Sequence, residues 1–323
     1  MDPITLLRLS YLGASALVLT VALVPPLKSR FLSYGARTST SSPSPDSKLR
    51  QHSGILPGLL DALAAVRVPH SWFASFYALS VAWSVVWASQ LLTRGPLFRI
   101  IADRARESGG QSMSVQQVAV AWALLLVQGS RRLYECVAFA RESGSEMWVG
   151  HWALGVLFYT GMGVGVWVEG VPAITAYAFH PTDLALAPPS LRTFLSTLLF
   201  LLASGVQHDC HAYLDSLKPA PPKTRAPPPI SGFKPSPSTY SLPTHLAFTY
   251  TLTPHYLAEC LIYVALAFLA APQGAWVNGT LACAGVFVVV NLGVTADGTR
   301  AWYGRVFGGE AVGGRGRMVP WVW

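Results

Sequence analysis

Residues 276–296 read WVNGTLACAGVFVVVNLGVTA, 21 residues without a charged side chain. A helix needs about 20 mostly apolar residues to cross the hydrocarbon core of a bilayer, so this stretch predicts a transmembrane helix. Six other segments have this character or come close to it: residues 5–27, 72–94, 115–139, 148–170, 190–207 and 255–271. The pattern therefore predicts an all-α integral membrane protein with about seven transmembrane helices.

The composition of the 323-residue chain supports this prediction. Hydrophobic residues make up 52% of the chain and charged residues only 12%, whereas soluble domains carry roughly 25% charged residues. This balance excludes a disordered chain, a coiled coil and most water-soluble enzymes. The net charge of +8 is compatible with nucleic-acid binding, but the basic residues lie between apolar segments, where they set topology against anionic lipid. We therefore predict the lipid bilayer as a partner and no nucleic acid.

The placement of lysine and arginine predicts the orientation in the membrane. Most of these residues fall on one side when the carboxyl terminus is placed in the cytosol, and cytosolic loops carry the excess of positive charge. The exception is the loop from Arg94 to Arg106, which has four arginines on the opposite side. We predict a multi-pass protein with a cytosolic carboxyl terminus.

Polar clusters at the edges of the apolar segments, or inside them, are the candidates for function, because ionisable groups are costly in a membrane. Four clusters stand out: Arg131 to Glu135, Gln207 to His211 with Lys218 after it, His255 to Glu259, and Asn291 with Arg300 to Tyr303. Together they predict a polar cavity between helices that opens to the cytosol. Such a cavity suits a large anionic ligand, with an apolar substrate arriving through the lipid.

Each cluster also has a simpler interpretation. Arg132 and Glu135 are spaced for an ion pair on one helix face. His208 and His211 share a face but have no third ligand nearby, so we predict no metal site. The glycines at 161, 163 and 165 resemble part of a dinucleotide fingerprint, but without a βαβ unit they favour close helix packing. The residues alone leave a reductase, a methyltransferase and a transporter open.

Several motifs follow one another in a recognisable order: Arg131-Arg132-Leu133-Tyr134-Glu135-Cys136, Gln207 to Lys218, Tyr240 to Tyr250, His255-Tyr256-Leu257-Ala258-Glu259, Asn291, Trp302-Tyr303 and Pro320-Trp321-Val322-Trp323. This order resembles the steroid 5α-reductase family, and within it the polyprenol (polyprenal) reductase branch. The resemblance covers about residues 72–323. It implies a catalytic membrane domain over 72–323, preceded at 1–71 by a first transmembrane anchor and a Ser/Pro-rich loop.

The resemblance also implies an activity. Such an enzyme of the endoplasmic reticulum membrane uses NADPH to reduce the α-unsaturated double bond of a long-chain polyprenal or polyprenol. This step belongs to dolichol biosynthesis for protein N-glycosylation, so a polyprenyl lipid is the implied substrate. Three alternatives stay open: a reductase of steroids or other lipid enones, a membrane methyltransferase of the isoprenylcysteine type, and a seven-span transporter or receptor.

Matching positions imply roles for individual residues. Three residues match the catalytic motif: Arg131, Tyr134 and Glu135. The resemblance implies Tyr134 or Glu135 as the hydrogen-bond donor to the substrate carbonyl, and Tyr77 and His70 are further candidates. The implied cofactor-binding residues are Gln207, His211, Lys218, Tyr240, His255, Glu259, Asn291, Arg300 and Tyr303.

The chain also departs from the family pattern. Steroid-reducing members pair a carboxylate in the second span with a tyrosine in the third. Here residues 72–77 contain no acid and Gln128 lies near the tyrosine position, which argues against a steroid ketone. The stretch Thr295-Ala296-Asp297 lies where an arginine or histidine is commoner in the family, which argues against a phosphate contact there, and the Gly-rich tail at 308–316 predicts a loose segment.

Overall fold

The computed structural model describes residues 1–32, 55–105, 112–141, 144–184, 188–218 and 240–323. The helices are α1 (Pro3–Leu23), α2 (Pro25–Phe31), α3 (Ile55–Ala65), α4 (Ala74–Thr93), α5 (Pro96–Ala105), α6 (Val115–Ala138), α7 (Val149–Gly165), α8 (Val171–Ala176), α9 (Leu191–Ser216), α10 (Pro254–Leu269), α11 (Gly279–Phe307) and α12 (Gly309–Gly313). The Ser/Pro-rich run at 38–45 and most of the proline-dense segment at 218–243 lie outside the described residues.

The helical prediction is confirmed, because a helix occupies each of the seven predicted segments. Among the described residues, four regions are long and apolar enough to cross a membrane: Pro3–Leu23, His70–Thr93, Val149–Ala176 and Gly279–Phe307. Polar side chains within α6 and α9 lower the hydropathy of these two helices, and α10 has only 16 residues. The structure thus shows a membrane protein with four helices that meet this criterion, and the count of seven stays a prediction.

A short pair of antiparallel strands adds to the helices. Strand β1 (Arg67–Pro69) pairs with β2 (Glu146–Trp148), and Val68 lies opposite Met147. Both of these side chains are buried and pack on Phe76. The two strands join the start of α4 to the start of α7.

Side chains at the helix starts bind the free backbone amides there. Ser114 and Gln117 form a reciprocal capping box at the start of α6, and Ser190 and Asn278 cap α9 and α11. Such caps satisfy N–H groups that have no partner within the helix. The sequence therefore fixes where the polar helices α6 and α9 begin.

Small residues allow α7 to pack closely on its neighbours. A β-carbon at Gly161 would lie 2.9 Å from the Tyr11 hydroxyl of α1, and one at Gly163 would lie 3.0 Å from Trp83 Cβ of α4. The glycine run lies in the last turns of α7 and not at a turn between a strand and a helix, so the packing interpretation is confirmed and the dinucleotide fingerprint is not.

A buried carboxylate joins α1 to α11. Glu169, which is 7% exposed, accepts hydrogen bonds from Arg8 at 2.8 Å and from the backbone amide and hydroxyl of Thr280 at 2.7 and 2.6 Å. Three donors compensate for taking the carboxylate out of water. This contact fixes α1 against the core.

The close approach of α7 and α4 predicts opposite effects for one substitution at two glycines. Gly163→Ala should destabilise the protein by about 1–3 kcal/mol, since the added methyl group overpacks the contact with Trp83 and Trp87. Gly205→Ala on α9 should be neutral or stabilising, because its β-carbon meets no atom within 4 Å and alanine favours helix. Thermal unfolding midpoints in detergent measure both variants, and equal midpoints for them would contradict this packing.

Candidate active site

A cavity of about 220 Å³ lies between α4, α6, α7, α9, α10 and α11. One wall is aromatic and apolar and the other is polar. The lining residues are His70, Phe73, Phe76, Tyr77, Arg132, Met147, His151, Leu154, Gly155, Phe158, Tyr159, Gln207, His211, Tyr256, Glu259, Tyr263, Phe287, Val288, Asn291, Leu292 and Thr295.

Glu135 is the centre of the polar region. This carboxylate is 2% exposed and forms ion pairs with Arg131 and Arg132 on its own helix, α6. The Nδ1 atoms of His208 and His211, on α9, lie 2.8 Å from its two oxygens. Four nitrogen-bearing side chains therefore surround one buried carboxylate and connect α6 to α9.

Two amides and a second carboxylate continue this network to α10. Gln128 donates hydrogen bonds to Gln207 at 3.0 Å and to Glu259 at 3.1 Å. Gln207 also donates to Glu259, and Arg131 donates to both amide oxygens. The network orients Glu259 and Gln207 at the cavity wall.

Arg132 connects the polar network to the aromatic wall. Its Nε and Nη2 atoms donate to the Tyr77 hydroxyl at 3.2 and 3.0 Å, and its guanidinium carbon lies 4.8 Å from the Tyr77 ring centroid. The Tyr77 ring packs against Phe73 and Tyr159. A polar group bound here would have an apolar surface immediately beside it.

A second pocket, of about 290 Å³, lies at the end of α11 and the tail that follows. Its wall consists of Arg300, Arg315 and Arg317 with the Gly-rich backbone at 313–316 and the side chains at 321–323. Arg300 and Arg315 donate to backbone carbonyls, and Arg317 pairs with Asp297 at 2.9 Å. Three guanidinium groups with one carboxylate make this pocket suitable for an anion.

The tail is not loose at Gly316, contrary to the sequence prediction. Its amide donates to Tyr250 and its carbonyl accepts from Leu252, both at 2.9 Å. A β-carbon at Gly316 would lie 2.7 Å from the Val319 oxygen, so glycine is required for the tail to fold back here. Asp297, at the position where relatives more often have a basic residue, pairs with Lys28 as well as Arg317.

The structure brings only part of the predicted cofactor set to one place. Gln207, His211, Glu259 and Asn291 line the cavity, and the His255 ring lies 5.3 Å from that of His211. The remaining four residues lie elsewhere: Arg300 lines the second pocket, Tyr240 and Tyr303 pack with Trp302, and Lys218 pairs with Asp215.

The expected catalytic residues are divided in the same way. Arg131 and Glu135 lie behind the cavity wall, within the network. The Tyr134 side chain is 63% exposed and does not line the cavity, because it points away from the helix face that carries Glu135.

Sequence reasoning gave no role to three polar residues of this region. In the sequence, Gln128 is only a departure from the family pattern. Tyr159 and Tyr263 lie inside apolar segments, where a tyrosine is interpreted as a core residue. Their spacing on α6, α7 and α10 carries no signal of a shared cavity, since the three helices meet only in the fold.

Comparison with known proteins shows the family to which this chain belongs and supports an oxidoreductase. The model of the 3-oxo-5-alpha-steroid 4-dehydrogenase family matches residues 145–323, and the chain belongs to that family. The resemblance found in the sequence motifs is thereby confirmed.

Curated relatives narrow the similarity further. The chain is 26% identical to the polyprenal reductase of Homo sapiens over 285 residues, which cover 83% of this chain and 80% of that protein. It is 24% identical to the polyprenal reductase of Caenorhabditis elegans over 80% of both chains. The match to the polyprenal reductase of Mesocricetus auratus is 26% identical and covers 63% of this chain and 64% of the relative.

The buried network predicts a strong effect at Glu135. Glu135→Gln should lower the thermal midpoint of the detergent-solubilised protein, at a cost of about 3–5 kcal/mol, because removal of one partner leaves buried charges uncompensated. Glu146→Gln, at an exposed position, is the matched control and should leave the midpoint unchanged. Equal midpoints for the two variants would show that the contacts of Glu135 with its two arginines and two histidines do not stabilise the fold.

Proposed function

We propose that this protein is an NADPH-dependent polyprenal reductase that saturates the α-unsaturated double bond of a long-chain polyprenyl substrate. The single observation that carries the proposal is the cavity whose aromatic wall meets a polar wall at Tyr77 and Arg132. An isoprenoid head fits the first wall, and a carbonyl with a nicotinamide ring fits the second. Membership of the family and the polyprenal reductase relatives support this assignment.

The residues present fit a nicotinamide dinucleotide phosphate. A nicotinamide carboxamide needs a donor and an acceptor, and Gln207, Glu259 and Asn291 provide both at the cavity wall. Within the described part of the chain, His255 Nδ1 is buried without a hydrogen-bond partner, so it is available to a ligand. We propose that these four residues and His211 hold the nicotinamide end.

The phosphates of the cofactor would lie at the second pocket. Thr295 lines the cavity and Arg300 lines the second pocket, and five residues of helix span about 7.5 Å. Arginine suits phosphate because its guanidinium donates in a planar fork. We propose Arg300 with Arg315 and Arg317 for the phosphates, and Lys218, Tyr240 and Tyr303 for more distant parts of the cofactor.

The protein's own residues would supply position and electrostatics, while NADPH supplies the hydride. The aromatic wall excludes water from the reacting atoms. Arg131 and Glu135 act as positioning residues, since they hold Gln207 and Arg132 in place. Residues 72–323 then form the catalytic domain, and residues 1–71 the first anchor with its loop.

The proposal includes a pathway and a cellular location. Reduction of a polyprenal would belong to dolichol biosynthesis for protein N-glycosylation, in the membrane of the endoplasmic reticulum. With the carboxyl terminus in the cytosol, the second pocket, which the tail forms, would face the cytosolic NADPH pool. The cavity would then open to the cytosol through this end of α11.

A second candidate is the reduction of a steroid enone, which the name of the matching family favours. The absence of an acid at residues 72–77 argues against it. A methyltransferase or a transporter has no comparable support from the family.

The activity test uses purified protein in detergent with a polyprenal and NADPH deuterated at the transferred position of C4. Mass spectrometry should show one deuterium and one proton added to the lipid, and Glu259→Ala should abolish the gain. Reduction of steroid enones without reduction of polyprenal would assign the protein to the second candidate. Failure to bind nicotinamide cofactors at all would refute both.

The phosphate pocket predicts how cofactor affinity changes. Arg300→Ala should raise the Kd for NADPH about 10- to 150-fold, because a hydrogen bond to a charged group contributes about 1.5–3 kcal/mol. Arg305→Ala is the matched control, since Arg305 is exposed on the same helix and does not line the pocket. Titration of NADPH by protein fluorescence measures both, and equal Kd values for the two variants would place the phosphates elsewhere.

A further inference from the structure

We propose that Tyr77 is the catalytic residue that donates a hydrogen bond to the substrate carbonyl oxygen, with Arg132 as its positioning residue. This inference rests on the proposed function and adds to it the identity of the hydrogen-bond donor.

The hydrogen bonding of Tyr77 leaves its proton available. The side chain is 5% exposed, lines the cavity and accepts two hydrogen bonds from Arg132, at 3.2 and 3.0 Å. A phenol oxygen has two lone pairs and one O–H. Because Arg132 occupies the accepting positions, the O–H remains to donate.

Tyr77 also lies where the two walls of the cavity meet. Its ring centroid is 5.7 Å from that of Phe73 and 5.4 Å from that of Tyr159, on the aromatic side. Its hydroxyl is held by Arg132 on the polar side. An isoprenoid chain that packs on the aromatic wall therefore brings its polar end to the Tyr77 hydroxyl.

Arg132 gives Tyr77 an advantage over Tyr159 and Tyr263. Tyr77 accepts two hydrogen bonds from the Arg132 cation, whereas the Tyr159 and Tyr263 rings pack against the Tyr77 and Phe158 rings. Arg132 is itself fixed by Glu135 and lies 2.8 Å from His211 Nδ1. A fixed positive charge behind a donor stabilises the negative charge that develops on the carbonyl oxygen.

The step balances as a conjugate reduction. A bound NADPH would supply the hydride for the new C–H bond at the β-carbon, and the double-bond electrons would then move through the α-carbon to the carbonyl oxygen, where Tyr77 donates. That oxygen takes the Tyr77 proton, which gives an enol. The enol then takes a proton from water at the α-carbon and returns the O–H proton to Tyr77, so that one solvent proton is consumed.

An allylic alcohol has no carbonyl oxygen into which the electrons can move, so this step cannot reduce it. Wild-type protein should therefore reduce a polyprenal and leave the matching polyprenol unchanged under the same conditions. This comparison needs no variant. Equal rates on the two lipids would overturn the inference.

The donor is tested with Tyr77→Phe, which removes only the hydroxyl. Its kcat on polyprenal should fall about 10²–10³-fold, as for loss of an oxyanion donor, while KM stays within about threefold. Tyr177→Phe is the matched control, because Tyr177 is exposed and does not line the cavity, and it should keep wild-type rates.

A spectroscopic measurement separates hydrogen bonding from turnover. Polyprenal labelled with ¹³C at the carbonyl is bound in the presence of NADP⁺, and its C=O stretch is read by difference infrared spectroscopy. The band should shift to lower frequency in wild-type protein and in Tyr177→Phe, and return towards its free value in Tyr77→Phe. Arg132→Lys should give an intermediate shift, since the charge remains and the two-point contact is lost.

The outcomes distinguish this inference from the function on which it rests. A wild-type protein that reduces no polyprenal refutes the proposed function and the inference with it. A wild-type protein that reduces polyprenal, with Tyr77→Phe keeping both the rate and the shifted band, refutes the inference alone.

Discussion

The burial of one carboxylate, Glu135, is the constraint on which the functional half of the protein depends. A charge in a low-dielectric interior is tolerated only when it is paired and hydrogen-bonded. Two arginines from α6 and two histidines from α9 meet this need. Because these side chains also contact Gln207 and Tyr77, the geometry of the cavity wall follows from the requirement to neutralise Glu135.

The apolar half of the protein is held together in a different way. Between lipid-facing helices there is little hydrophobic driving force, so close van der Waals contact and a few polar links must stabilise the fold. Gly161 and Gly163 provide the contact for α7, and Glu169 with Arg8 and Thr280 provides a link for α1. The apolar half and the functional half meet at Tyr77. Its ring packs in the aromatic wall, and its hydroxyl is hydrogen-bonded to Arg132.

The sequence predicted the helices well because apolar length is a local property, and it predicted Glu259 and Glu135 because charge is conspicuous in such a chain. It did not predict which side chains face the cavity. Tyr134 is adjacent to Glu135 in sequence but on another helix face, and the tyrosines at 159 and 263 are indistinguishable from core residues. Their meeting depends on the packing of α7 against α10, which no local pattern encodes. The sequence pattern does not give the number of membrane spans either, since polar side chains in α6 and α9 lower the hydropathy of these two helices.

The small volume of the cavity has a consequence for how lipids are selected. About 220 Å³ is below the usual range for a pocket that encloses a whole drug-sized ligand. A polyprenyl chain would thus leave nearly all of its length in the bilayer and present only its head to the protein. Such an enzyme would select lipids by the group at one end and not by the number of isoprene units that follow it. The bilayer itself would then hold the tail of the substrate.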